Sequence, residues 1–144
     1  MDSKDEAIIE ELMRDSRQST VLISNKVRIP RVTVHDRLEK LKRDGVIKQF
    51  TVSLDYAKVG LPVSAYVFVS YDRMAKLDQH VVAQRIAEVP GVYGVDIISG
   101  EWDLLLKIRA KTIRDVGMLI VDKIRHIDGV HKTLTMPSFE TVKE

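Results

Sequence analysis

Residues 19–48 read STVLISNKVRIPRVTVHDRLEKLKRDGVIK, which joins two short helical patterns by a tight turn. Ser19 or Thr20 supplies a side-chain oxygen that suits the N-cap of the first helix. Pro30 suits the first turn of the second helix, because proline has no backbone N–H to lose there. Gly45 is a suitable end for that helix, whose apolar stripe consists of Val34, Leu38 and Leu41. Two short helices with a turn at residues 27–29 predict a helix-turn-helix.

Charge is distributed unevenly around this motif. Residues 1–15, which also show the apolar spacing of a helix, have a net charge of −4, whereas residues 26–48 have a net charge of +5. The whole chain has a formal net charge of only +2. A basic stretch inside a compact helical segment is the electrostatic footprint expected of a nucleic-acid contact. On charge alone, a solvated helix face with mixed charges remains the alternative.

The second helix of the motif contains the candidate DNA-reading residues. In a helix-turn-helix, the N-terminal part of this helix enters the major groove. Arg31 is placed there to pair with a guanine edge, and Val32 to contact a thymine methyl group. Basic residues nearby would contact phosphates, which fix position without reading sequence. The candidate DNA-binding residues are Arg28, Arg31, Val32, Thr33, His35, Arg37, Lys40, Lys42 and Arg43.

An internal repeat organises residues 62–144. Residues 85–92 (RIAEVPGV) match residues 123–130 (KIRHIDGV) at an offset of 38, and each copy follows a helical stretch and precedes a strand. The predicted order is strand 63–71, helix 76–89, strand 92–98, strand 103–110, helix 113–127 and strand 130–141. This is the βαββαβ arrangement of ferredoxin-like domains. The fold class is therefore α+β, with an N-terminal (winged) helix-turn-helix domain and a C-terminal ferredoxin-like domain.

Two helices cover only one face of a four-stranded antiparallel sheet. Apolar residues alternate along the predicted strands 63–71 and 103–110, namely Val67, Val69, Leu104, Leu106 and Ile108. An uncovered sheet face that carries such residues implies a partner surface. We therefore expect a dimer or a larger assembly.

Composition excludes several kinds of chemistry. The chain has no cysteine, so it has no disulfide, no thiol nucleophile and no cysteine-ligated metal. The four histidines lack metal-ligand spacing, and the seven glycines are too scattered to form a phosphate-binding loop. No apolar run approaches the roughly 18–20 residues that span a bilayer. We expect a cytoplasmic protein that has no catalytic residues, metal or cofactor and does not bind membranes.

The motifs together resemble those of the leucine-responsive regulatory protein/AsnC family. The resemblance rests on residues 19–27, 33–41 and 44–48, and it continues through Leu54-Asp55 and Val59-Gly60. It implies a DNA-binding transcriptional regulator with a helix-turn-helix in 1–46, a linking strand in 47–61 and an oligomerising, effector-binding domain in 62–144. Two positions depart from the family pattern. Arg28 replaces the usual turn glycine, which implies a strained left-handed conformation or a different turn, and Pro30 replaces the usual helix-capping serine.

The loop at residues 100–103 (GEWD) joins the predicted strands 92–98 and 103–110. As bare sequence it is a turn in which glycine supplies a positive φ and aspartate accepts local N–H bonds. In the family that the chain resembles, this loop lies between dimers and binds small ligands, often amino acids. The resemblance therefore implies that Gly100 and Asp103 bind the ligand, with Trp102 as a wall and hydroxyls of Thr133 and Thr135 from a neighbouring subunit. It also implies double-stranded DNA as a partner and self-association to dimers and octamers.

Two other classes of protein remain as alternatives from sequence. An architectural chromatin protein would coat DNA with little sequence specificity, and the salt dependence of its binding would be similar on all DNA. An enzyme of ferredoxin-like fold would need a polar pocket with perturbed titratable groups. The sequence offers mainly the 100–103 loop for such a pocket.

Overall fold

The computed structural model describes residues 1–142, which form two compact units that divide between Ser53 and Leu54. The first unit contains three helices, α1 (Ser3–Arg14), α2 (Thr20–Val27) and α3 (Arg31–Arg43). Its buried core consists of Ile8, Ile23, Ile29 and Val34, with Leu12, Val27 and Leu38 packed against it. The helix-turn-helix predicted from residues 19–48 is confirmed.

The helices α2 and α3 begin in different ways, since a side chain caps α2 and none caps α3. Ser19 is the N-cap of α2, and its side chain accepts a hydrogen bond from the backbone N–H of Leu22 at 3.2 Å. Pro30 occupies the N-cap position of α3 rather than its first turn, so the expected position is wrong by one residue. Its φ of −54° is nearly helical while its ψ of 139° is extended. This is the mixed geometry of a residue that leads into a helix.

The linking strand predicted between residues 47 and 61 is absent, because this range contains only irregular backbone and turns. The alternation in IKQFTVSL is present, but Phe50 and Val52 are 52% and 73% exposed. A β-strand exists only when its backbone bonds to a neighbouring strand. The strands of the sheet bond to one another, and none of them pairs with residues 47–54.

The second unit has the predicted βαββαβ order. Its elements are β1 (Val63–Tyr71), α4 (Gln79–Ala87), β2 (Val92–Ile97), β3 (Leu104–Ala110), α5 (Ile113–Asp122) and β4 (Val130–Ser138), with a 3₁₀ turn at Ile124–His126. The strands form one antiparallel sheet in the order β2-β3-β1-β4. Both helices are shorter than predicted. Asp78 caps α4 only at residue 78, and the backbone of Lys123 leaves the α-helical region after α5.

The internal repeat appears in the structure as two equivalent glycines, Gly91 and Gly129, each just before a strand. We call each of these positions a joint. Gly91 and Gly129 have φ values of 99° and 95°, which glycine adopts without strain. The carbonyl of Gly91 accepts a hydrogen bond from the N–H of Arg109 at 3.0 Å, and that of Gly129 from the N–H of Asp72 at 2.9 Å. Each copy of the repeat therefore closes against a strand of the other copy.

The expected composition of the open sheet face is wrong. The five alternating residues of the central strands are fully buried under α4 and α5, with Val82, Ile86, Val116 and Ile120 among the helix residues that cover them. Alternation cannot tell which of two faces the helices will cover. The face that the helices leave open instead carries the apolar side chains of Tyr66, Phe68, Leu105, Leu134 and Met136.

Within residues 1–142, no helix combines the length and apolar character needed to cross a membrane.

Candidate functional site

The N-terminal turn of α3 presents its side chains to solvent. Arg31 is the first residue of the helix and is exposed, and Val32 is 71% exposed although it is apolar. Thr33 is half-buried, whereas His35 is exposed on the next turn. Because Val34 is fully buried against the other helices, the orientation of α3 is fixed by its core. This turn can therefore enter a groove without rearrangement of the helix.

Arg28 ends α2 in the left-handed conformation, with φ 54° and ψ 43°. It is the only non-glycine residue with positive φ among the described residues. Its backbone N–H donates to the carbonyl of Ser24, as expected for a left-handed helix end. The side chain is exposed, next to the turn that leads into α3. The strained alternative expected for this position is the one that the structure adopts.

Arg37 is bound to the start of α1. Its guanidinium Nη1 lies 2.7 Å from Oδ1 of Asp2 and 2.7 Å from Oδ1 of Asp5. The hydrogen bonds from Arg37 hold the pKa of both carboxyl groups below the usual value. Asp5 is almost completely buried, so this ion pair joins α1 to α3 inside the unit. The arrangement favours a positioning role for Arg37 over a direct DNA contact.

The C-terminal half of α3 is basic and exposed. Lys40, Lys42 and Arg43 are all exposed in its last turns. Lys42 Nζ lies 3.0 Å from Oε1 of Glu39, and its hydrogen bond lowers the pKa of that carboxyl group. An exposed ion pair of this kind contributes little to stability. Lys42 can therefore exchange its partner for a phosphate at small cost.

The 100–103 loop is organised by Asp103. Its Oδ2 accepts a hydrogen bond from the N–H of Tyr71 at 2.8 Å, and its own N–H donates to the carbonyl of Val69 at 3.0 Å. Its carbonyl accepts from Ile98 N–H and from the side-chain amide of Gln79. Gly100 has φ 133°, a conformation that side chains rarely adopt. Asp103 therefore joins the loop to the end of β1 by hydrogen bonds within one chain.

The remaining loop-site candidates lie on opposite faces of the sheet within one chain. Trp102 packs near Phe68, with ring centroids 6.1 Å apart, on the open face. Thr133 and Thr135 are paired with buried Val69 and Val67, and paired residues share a face, so they lie on the helix-covered side. Thr133 Oγ1 accepts a hydrogen bond from Arg125 Nε at 3.0 Å. A single chain therefore brings Gly100, Trp102 and Asp103 together but not the two threonines.

Sequence reasoning missed two groups of residues at these sites. Asp2 and Asp5 fix α3 through Arg37, and the signal for them was the capping pattern of α1. Phe68 and the backbone of Tyr71 complete the loop. No local pattern indicates these two, because their partners lie more than 30 residues away. Within residues 1–142, no three His, Asp or Glu side chains are grouped so that they could hold a metal ion.

Comparison with known proteins matches both units. Residues 1–48 match the winged helix-turn-helix DNA-binding family model, and residues 64–144 match the Lrp/AsnC ligand binding domain. An HTH-type transcriptional regulator of Pyrococcus abyssi is 46% identical over 144 residues, which cover 100% of this chain and 96% of that protein. The HTH-type transcriptional regulator FL11 of Pyrococcus horikoshii is 32% identical, with 100% and 93% covered.

Solved structures agree on the fold. B. subtilis LrpC has a TM-score of 0.85 at 29% identity, covering 99% of this chain and 97% of its own. A transcriptional regulator of Neisseria meningitidis in complex with L-Met has a TM-score of 0.89 at 22% identity, covering 100% and 93%. With both units matched by family models and relatives of 46% and 32% identity along the whole chain, this protein belongs to the Lrp/AsnC family of HTH-type transcriptional regulators.

Proposed function

We propose that the chain reads specific DNA sequences through the first turn of α3 and responds to a small effector held at the 100–103 loop. The exposure of Arg31 and Val32 above a fully buried Val34 is the observation that carries the DNA-reading proposal. Arg31 pairs with a guanine edge and Val32 contacts a thymine methyl group. Arg28, Lys40, Lys42 and Arg43 contact phosphates, with Thr33 and His35 at the margin of the groove.

Paired titrations on a specific and a scrambled duplex test this assignment. Arg31→Ala should weaken binding to the specific duplex by about 1–3 kcal/mol and relax the preference at one base pair. Lys42→Ala is the matched control within the same helix, and it should weaken both duplexes alike and reduce the salt dependence. Equal losses on both duplexes for Arg31→Ala would make Arg31 a phosphate contact. Equal affinity of the wild type for all duplexes would favour the architectural chromatin protein.

The effector proposal starts from the polarity of the loop. A free amino acid has an ammonium group that needs a carboxylate, and Asp103 lies at the loop beside an aromatic pair. Its Oδ2 already accepts from Tyr71, so binding an ammonium there couples the ligand to the end of β1. Backbone N–H groups near Gly100 can donate to the ligand carboxylate. Thr133 and Thr135 take part only from a second subunit, because they lie on the other face of their own sheet.

Calorimetry across the twenty amino acids tests the loop. Asp103→Asn keeps an oxygen that can accept from Tyr71 but removes the charge, and it should weaken amino-acid binding about 10-fold or more. Ser99→Ala, beside the loop, is the control and should leave affinity unchanged. Full affinity in Asp103→Asn would move the site elsewhere. Absence of binding to the wild type would make the loop purely structural.

Assembly is the third part of the proposal. The open sheet face carries Phe68, Leu134 and Met136, of which Leu134 is 44% exposed and Met136 is 52% exposed. A two-fold dimer through such a face presents two recognition helices to half-sites about one helical turn apart, or a multiple of it. Further association of dimers to octamers brings the 100–103 loops to an interface between subunits. Occupancy of the loop is then linked to assembly.

A further inference from the structure

The side of α3 that lies opposite its buried residues carries two carboxylates. An α-helix has 3.6 residues per turn, so residues three and four apart lie on the same side. The exposed residues that share the side opposite the core are Val32, Asp36, Glu39 and Arg43. Val32 belongs to the turn that enters the major groove in the proposed function, and Asp36 lies one turn further along. A negative charge therefore lies where the helix meets DNA.

The two carboxylates differ in their partners. Oε1 of Glu39 lies 3.0 Å from Nζ of Lys42, so the charge of Glu39 is compensated within the helix. The side chain of Asp36 has no ion-pair or hydrogen-bond partner among residues 1–142. Arg37, the next residue, is already bonded to the start of α1. Asp36 therefore presents two carboxylate oxygens that can accept hydrogen bonds from a molecule lying against α3.

The chemistry of base edges decides which base such a carboxylate prefers. An unpaired carboxylate is repelled by the phosphates, so it favours binding only where it accepts a hydrogen bond from a base. In the major groove, guanine presents only acceptors, and thymine presents an acceptor and a methyl group. Adenine has a donor at N6, but the acceptor N7 beside it repels the second carboxylate oxygen. Cytosine, whose N4 amino group is a donor, is therefore the base that suits Asp36.

We propose that Asp36 is a specificity-determining residue that accepts a hydrogen bond from N4 of a cytosine in the major groove. The inference rests on the proposed DNA-reading function and deepens it, because it adds a second base to the one that Arg31 selects. Asp36 lies about 6 Å along the helix axis from Val32, so the two side chains reach different base pairs. Exposed bases on the flanks of this side, such as Lys40 and Lys42, contact phosphates and offset the repulsion of the carboxylate.

Selection of binding sites from a pool of random duplexes, with the full chain, measures the base preference at every position. Asp36→Ala should lose the preference for cytosine at one position, by about 10-fold. Asp36→Asn should change the preferred base at that position to adenine, because an asparagine amide pairs with N6 and N7 of adenine. Glu39→Gln is the matched control, since it removes an exposed carboxylate on the same side of α3 that is bonded to Lys42. It should keep the wild-type preference at every position.

Titrations on the selected duplex and on a scrambled duplex give a second measurement. For Asp36→Ala, the ratio of the two affinities should fall about 10-fold, while binding to the scrambled duplex should be no weaker than that of the wild type. Equal weakening on both duplexes would overturn the proposal, because the carboxylate would then support the helix rather than read a base. Unchanged base preferences in both Asp36 variants would also overturn it.

The same selection separates this inference from the proposed function on which it rests. If Arg31→Ala loses a preference at another position while both Asp36 variants keep every preference, the DNA-reading function stands and the role of Asp36 is wrong. If the wild type selects no sequence at all, the DNA-reading function is wrong, and the role of Asp36 is wrong with it.

Discussion

Arg28 has the left-handed backbone that glycine usually supplies, with φ 54°. A side chain in this conformation costs roughly 1–2 kcal/mol, because Cβ lies too close to the following carbonyl oxygen. Arg28→Gly should therefore stabilise the first unit by about 1 kcal/mol, measured by chemical denaturation followed by circular dichroism. Arg28→Ala removes the same charge but keeps Cβ, so it should give no such gain. Equal unfolding midpoints for the two variants would show that the turn is unstrained.

At the residue scale, local features were predictable and distant partners were not. Ser19 and the conformation of Arg28 follow from the few residues around them, so sequence indicated both. The basic character of α3 predicts a DNA contact for Arg37, but its guanidinium bonds to Asp2 and Asp5, more than 30 residues away. Asp103 also has a distant partner, since its carboxylate accepts a hydrogen bond from the N–H of Tyr71. Such contacts depend on tertiary packing that the local sequence does not encode.

The helices of the first unit are joined by ion pairs that acid should break. Hydrogen bonds from Arg37 lower the pKa of Asp2 and Asp5, and a hydrogen bond from Lys26 of α2 lowers that of Glu11. Carboxyl groups with lowered pKa stabilise the folded state above their unfolded values, about 3.9 for Asp and 4.3 for Glu. That stabilisation is lost as pH falls through the lowered values.

Denaturation from pH 7 to pH 2 measures this effect. The first unit should lose stability mainly below pH about 4. The Asp5→Asn variant should be less stable than the wild type at pH 7. It should also lose less stability than the wild type between pH 7 and pH 2. Glu10→Gln, on the exposed side of α1, is the control and should keep the wild-type profile. If the stability of Asp5→Asn fell with pH as steeply as that of the wild type, the acid sensitivity would belong to other groups.

The joint at Gly129 is the tightest contact of the internal repeat. A Cβ added there would lie 2.6 Å from Cγ2 of Val82, and the φ of 95° disfavours any side chain. Gly129→Ala should destabilise the second unit by at least about 2 kcal/mol, from backbone strain and overpacking together. Gly117→Ala is the control, because it lies in α5 with open space around its Cβ position. Alanine there should stabilise by up to about 1 kcal/mol.

Comparable melting temperatures for the two alanine variants would mean that the joint can relax.

The joint was predictable from sequence only as a repeat, since two Gly-Val pairs at a fixed offset indicated equivalent structures. Its hydrogen bonds to the opposite copy were not predictable. The prediction of a strand at residues 47–54 is wrong because it rested on a local pattern alone. Its alternation was a real local pattern, but no strand of the sheet pairs with it.

For the whole molecule, the open sheet face predicts self-association. Leu134→Asp places a charge on that face and should dissociate a dimer formed there. Met118→Asp changes a residue of similar exposure on α5, 50% against 44%, and should leave the assembly intact. Light scattering at micromolar concentration distinguishes these outcomes. A wild-type mass of 16.4 kDa would show a monomer and contradict the dimer. Sequence predicted that a face stays open, but only the packing of α4 and α5 showed which residues it carries.

The hydrogen bonds at Gly91 and Gly129 each join one half of the ferredoxin-like unit to the other half, so neither half can form both bonds by itself. In each half, the glycine carbonyl just before the last strand accepts a hydrogen bond from an amide of the other half. A gene divided within the 98–102 hairpin would therefore encode two fragments, and in each separate fragment the glycine carbonyl would lack its N–H donor. Expressed together, the fragments should reconstitute the sheet by complementation. In the reassembled pair, the amides of Asp72 and Arg109 should be protected from hydrogen exchange to the same extent, because both bonds should open in the same cooperative unit.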